Sequence, residues 1–179
     1  ISVITQEYSM RQDMNMEEIM EYQGRLYFMP RKQIKERTEE LLEFCDLLKF
    51  RKRTVRKLSG GMKRKLMVCR ALLTDPEILL LDEPTAGMDA LSRRQMWNLL
   101  RKLNEKNLTI LLTTHYMEEA QSLCNRVALM DHGKLEEVST PSALIESLGA
   151  YAVDEMTADG TQNHYFHTRQ EAIRYLEQL

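Results

Sequence analysis

The run Ile78-Leu79-Leu80-Leu81, closed by Asp82-Glu83-Pro84, limits the fold more than any other stretch of the 179 residues. A continuous apolar run of this length is how a strand buried on both faces reads. Such strands belong to parallel sheets covered by helices. Leu108 to Thr114 repeats the pattern and ends at His115. Between the two, Asp89 is placed to N-cap a helix whose apolar positions include Met96, Leu99, Leu100 and Leu103. Upstream, Ile1 to Thr5 reads as a short strand. Pro30 opens a helix with Ile34, Thr38, Leu41, Cys45 and Leu48 on one face, and Met62 to Leu73 forms another. The class is α/β.

Downstream, Val127–Met130 and Leu135–Val138 flank a turn at Gly133 and predict a hairpin. Thr140-Pro141 starts a helix expected to stop at Gly149. Residues 151–156 and 162–168 read as two strands about the turn Asp159-Gly160, and Thr168 with Glu171 makes a capping box for a last helix. The expected division is residues 1–149, with a helical subdomain over about 10–73 and a sheet core over 74–149, followed by a small ββα appendage at 150–179.

Composition excludes more than it assigns. No apolar run approaches the roughly 20 residues that span a bilayer, so work at a membrane would need a partner. Cys45, Cys69 and Cys124 form no CxxC and read as small core hydrophobes in a reducing compartment. The 25 basic and 27 acidic residues nearly cancel, yet Lys49 to Lys65 holds nine basic residues and no acidic one. That block is a solvated helix face and loop, or it attracts anions. Met10, Met14, Met16 and Met20 form two i,i+4 pairs, either gap-filling core side chains or an adaptable docking surface.

Three short stretches carry chemistry. Ser59-Gly60-Gly61 opens a helix, where glycines let backbone approach a ligand and free N–H groups favour an anion. Asp82-Glu83 ends a buried strand, where adjacent carboxylates are costly unless compensated. A divalent cation on Asp82 is the natural compensation, which leaves Glu83 as a base for water. His115 ends the next strand. Ligands of open α/β sheets bind at the carboxyl ends of strands, so Asp82, Glu83 and His115 should converge on one crevice.

At this point the chain resembles the ATPases of the ABC transporter family, over residues 1 to about 148. Leu58-Ser59-Gly60-Gly61-Met62 is similar to their signature sequence, with Met62 in place of the usual glutamine. Leu79–Thr85 resembles their Walker B strand with its glutamate, Ala86-Gly87-Met88-Asp89 the D-loop, Thr113-Thr114-His115 the switch histidine, and Gln6 the Q-loop glutamine. The run Tyr116–Ala120 is most similar to the drug- and lipid-exporter branch. The resemblance implies a P-loop NTPase-like core, present in part, with ATP and Mg²⁺ as ligands. It implies catalytic Glu83 and His115, metal-holding Asp82 and Gln6, and nucleotide contacts from Gln6, Ser59, Gly60, Gly61 and Asp89. It also implies a transmembrane permease partner that the Met10–Met20 segment would meet, a second ATP-binding subunit, a peripheral place on the cytoplasmic face of a membrane, and no nucleic acid.

One departure is large. The phosphate-cradling Walker A loop needs G-x-x-x-x-G-K-[ST], and no two of the seven glycines are five residues apart. The chain reads as an ABC ATPase cut at a strand near its start, with its first third removed and inactive alone. The strand at Leu108–Thr114 is then expected to lie at a sheet edge, with one sheet face uncovered. A non-transport ABC protein and a non-catalytic binding or structural module are the alternatives.

Overall fold

The computed structural model describes residues 1–7, 10–148, 151–157 and 160–178. By internal contacts the chain forms two compact units, Ile1–Tyr116 and Met117–Leu179. The first holds a three-stranded parallel sheet in the order β1 (Ser2–Ile4), β2 (Ile78–Asp82), β3 (Thr109–Thr113). The register places Ile4 beside Leu81 and Leu81 beside Leu112. Three helices, α1 (Met16–Leu26), α2 (Arg31–Phe44) and α3 (Gly60–Leu72), connect β1 to β2. A fourth, α4 (Ala90–Glu105), connects β2 to β3. This is a mixed α/β architecture with a parallel sheet, as expected for part of a P-loop NTPase domain.

Pleating sends Ile4, Leu79 and Leu81 to one face, where all three are buried and Ser2 Oγ donates to Ala71 O of α3 at 2.9 Å. Residues on the opposite face are more open. Val3 is 57% exposed and Leu111 64%, with Leu80 half-buried between them. The apolar run at 78–81 is therefore buried on one face only, because α3 packs on just one side of β1. Among the described residues β3 pairs with β2 alone, so Leu108–Thr114 supplies an edge as expected.

The sequence reading left α1 unassigned. Its start is an Asn15–Glu18 capping box: Asn15 Oδ1 accepts from Glu18 N at 3.1 Å and Glu18 Oε2 from Asn15 N at 2.8 Å. Met16 and Met20 lie inside it at 0% exposure, whereas Met10 and Met14 are half-buried, so the core reading holds for the pair on α1. These two are core side chains, because i,i+4 spacing on an amphipathic helix turns both toward the same interior. Gly24 permits the α1–α2 contact. A Cβ there would stand 2.5 Å from Ile34 Cγ1.

In the second unit, α5 (Met117–Leu123) precedes an antiparallel hairpin, β4 (Val127–Asp131) and β5 (Lys134–Ser139), and α6 (Pro141–Leu148) follows it. A second hairpin, β6 (Tyr151–Thr157) and β7 (Gly160–Phe166), is closed by α7 (Arg169–Leu176). The Thr168–Glu171 capping box is present. Tyr175 Oη donates to Glu155 Oε2 at 2.9 Å and lies 2.8 Å from His164 Nε2, which ties α7 to both strands. The expected stop at Gly149 and the turn residue Asp159 lie outside the described residues.

Candidate functional site at the ends of the parallel strands

Parallel pairing in this register ends the three strands side by side, so the residues just beyond them meet. Gln6 follows β1, Glu83 follows β2 and His115 follows β3. Gln6 Nε2 donates to Glu83 Oε2 at 3.0 Å, and His115 Nδ1 lies 2.9 Å from Glu83 Oε1. One carboxylate is thus held from both sides. A proton on Nδ1 makes His115 the donor in this contact and leaves Nε2 pointing away from Glu83. The Glu83 backbone sits at φ 43°, in the left-handed region, and its N–H donates to Thr113 O at 3.1 Å. Asp82 is fixed from the same strand: Thr113 Oγ1 donates to Asp82 Oδ1 at 2.6 Å and leaves Oδ2 for another partner.

Beneath this cluster lies a residue the sequence reading passed over. Arg64 was only one of nine basic residues in the block, yet it is 3% exposed. Its Nε donates to Pro84 O at 2.8 Å. Nη1 reaches Thr5 O at 2.8 Å and Gln6 O at 3.0 Å, and Nη2 reaches Asp82 O at 3.0 Å and Glu83 O at 2.6 Å. The rigid fork of the guanidinium suits this task, since five N–H donors meet five carbonyls. Arg64 therefore ties α3 to the backbone on which Gln6, Asp82 and Glu83 are carried. Its position four residues after Gly60, on the face shared with buried Val68, was the signal in the sequence. The wider block is not uniformly solvated either: Arg51 and Lys52 both pair with Glu17 of α1.

Three further neighbours surround this cluster, and of these Arg93 had no signal in the sequence. Tyr116 stacks at 4.2 Å from the His115 ring, and the Arg93 guanidinium lies 4.6 Å over Tyr116. Thr113 is the third, through its bond to Asp82.

Ser59, Gly60 and Gly61 form a second locus at the start of α3. Ser59 Oγ caps the helix by accepting from Met62 N at 3.3 Å. A Cβ on Gly61 would stand 3.2 Å from Ser92 Oγ, so glycine allows α3 and α4 to start close together. Asp89 caps α4, accepting from Ser92 N at 2.9 Å and from Ser92 Oγ at 2.6 Å. These hydrogen bonds hold its carboxyl below the usual range.

The donor set suits Mg²⁺. It offers hard oxygens, a single oriented carboxylate at Asp82, and an amide oxygen on Gln6 whose nitrogen is already engaged with Glu83. Among the described residues no group of three His, Cys, Asp or Glu side chains could enclose a metal by itself. Mg²⁺ commonly keeps several waters and substrate oxygens in its shell.

The sequence pattern of the ABC transporter family matches residues 1–86. Over these residues the chain belongs to the ABC transporter family. It is 42% identical over 146 residues to the Nod factor export ATP-binding protein I of Rhizobium sp. (strain N33), covering 82% of this chain and 48% of that protein. The linearmycin resistance ATP-binding protein LnrL of Bacillus subtilis (strain 168) is 33% identical over 160 residues, covering 89% and 51%. The daunorubicin resistance ATP-binding protein DrrA3 of Streptomyces coeruleorubidus is 35% identical over 162 residues, covering 90% and 51%. The chain spans about half the length of these relatives. No helix among the described residues is long and apolar enough to cross a membrane.

Proposed function

We propose that this chain is part of the ATP-binding subunit of an ABC-type exporter, coupling ATP binding and hydrolysis to transport through a permease. The observation that carries the reading is the carboxylate of Glu83 held between Gln6 and His115 at the ends of three parallel strands. Held this way, Glu83 accepts a proton from water attacking a terminal phosphate, and a proton on His115 Nε2 is donated in a hydrogen bond to a phosphate oxygen. Asp82 and the Gln6 amide oxygen hold Mg²⁺, which when bound neutralises phosphate charge. Ser59 and the amides of Gly60 and Gly61 close on the γ-phosphate of nucleotide presented by a second ATP-binding subunit, with Asp89 lining that face. The relatives' names, which join ATP binding to export or resistance, support the permease partner and a peripheral place at the cytoplasmic face of a membrane. Residues 1–149 would form the ATPase part and 150–179 an extension.

These 179 residues hold no Walker A sequence, so the isolated chain is expected to bind Mg-ATP no better than millimolar in calorimetric titration. In a protein that also carries the phosphate loop, Glu83→Gln should slow hydrolysis by about 10²–10⁴-fold and leave nucleotide binding intact, while Asp82→Asn should weaken the Mg²⁺ dependence. Equal loss of binding in both variants would reverse these roles.

A further inference from the structure

We infer that the cleft between the end of α2 and the first turns of α4 binds a small aromatic anion. The cavity measures about 390 Å³, within the usual range for small-molecule sites. Ser59 and Gly61, which the proposed function sets on a γ-phosphate, reach its rim, but neither Glu83 nor His115 lines it, so the cleft adjoins the nucleotide-facing turn and does not reach the hydrolytic cluster.

The charge inside the cleft is one-sided. Lys49, Lys65 and Lys102 line it against Asp46 alone. The Lys65 side chain is only 15% exposed, and its Nζ is 3.8 Å from Asp46 Oδ2, beyond hydrogen-bond range; Asp46 itself is 89% exposed. Three ammonium groups against one exposed carboxylate leave the cleft with an excess of positive charge. Among the described residues neither Lys49 nor Lys102 is recorded in an ion pair. An anion is what this cleft lacks.

The walls select the rest of the ligand. Phe44 and Phe50 line the same cavity, and Lys49 Nζ and Arg53 Cζ lie 5.1 and 4.7 Å from the Phe50 ring centre. An inorganic anion would satisfy the lysines and leave both rings wet. A neutral aromatic would cover the rings and leave the excess positive charge unmatched. A ring carrying a phosphate, sulfate or carboxylate does both, and Asn98 offers an amide to orient it.

The test uses the chain as it stands, titrated by NMR with phenyl phosphate, with inorganic phosphate and phenol as separate arms. Phenyl phosphate should bind at least about tenfold tighter than either, with shifts centred on Phe44, Gly61, Ser92 and Lys102. Phe50→Leu and Lys65→Gln should each weaken it by about fivefold or more without moving the thermal midpoint. Should Lys65→Gln fail to fold, exposed Lys102→Gln tests the charge in its place. Inorganic phosphate binding as well as phenyl phosphate would reduce the cleft to a cation patch, and phenol binding as well would reduce it to an apolar crevice. Either result, no binding at all, or shifts centred on Gln6 and His115 would overturn the inference.

Discussion

Replacing Arg64 isolates the connection between α3 and the strand ends. Arg64→Met keeps most of the side-chain length and removes five N–H donors from five carbonyls. The Pro84 carbonyl is fully buried and, left without a partner, costs about 1–3 kcal/mol. The other four lie in part-buried surroundings where water can reach, so each loses only the net worth of a bond, about 0.5–1.5 kcal/mol. Against this, Arg64→Met no longer desolvates a buried charge, which returns several kcal/mol. The lost bonds sum to about 3–9 kcal/mol and the returned desolvation offsets several of these, leaving a net loss of about 2–4 kcal/mol, a large share of the roughly 5–15 kcal/mol that holds a domain together. Arg64→Lys keeps the charge with three donors on a single nitrogen, so it should recover less than half of that loss. Urea unfolding followed by circular dichroism gives both numbers from the shift in midpoint at constant slope. An Arg64→Met chain within 1 kcal/mol of the parent, on the order of one ordinary hydrogen bond, would refute the reasoning. So would full rescue by lysine.

Three other expectations follow from the packing and the caps. Gly24→Ala should cost about 1–3 kcal/mol by overpacking against Ile34, and Ile34→Ala in the same chain should recover part of it, read from the same unfolding curves. Leu111→Lys, placed on the bare face of edge strand β3, should lower self-association measured by light scattering at tens of micromolar, about the range where exposed edges cause trouble. The Asp89 carboxyl is held below its ordinary value by Ser92. Its contribution is therefore present above the unfolded value near pH 4 and lost as the pH falls through the lower folded value. Asp89→Asn keeps a capping acceptor but does not titrate there, so acid unfolding monitored by circular dichroism should be less steep in that variant.

The cluster at Gln6, Glu83 and His115 was legible because strand ends in a parallel sheet lie side by side, and an apolar run closed by acids marks such an end. The Asp89 and Thr168 caps were legible because their signals are local. Arg64 was not, since its acceptors are backbone carbonyls up to 59 residues away and carry no side-chain signature. Helix α1 was missed because the methionine spacing drew attention from the Asn15–Glu18 box. The burial of Ile78 and Leu80 was overstated because a strand's composition does not record which of its two faces a helix will cover.

Glu83 stands at φ 43°, a conformation that costs a residue with a Cβ about 1–2 kcal/mol. Glycine adopts it freely and asparagine with little penalty, and neither has a carboxylate to offer a water molecule. In the role proposed for Glu83, selection for a firmer fold and selection for turnover therefore pull this one position in opposite directions. A lineage released from the need to hydrolyse nucleotide could gain stability by its first substitution there, so glycine or asparagine at this position in a related chain would mark activity given up rather than activity not yet acquired.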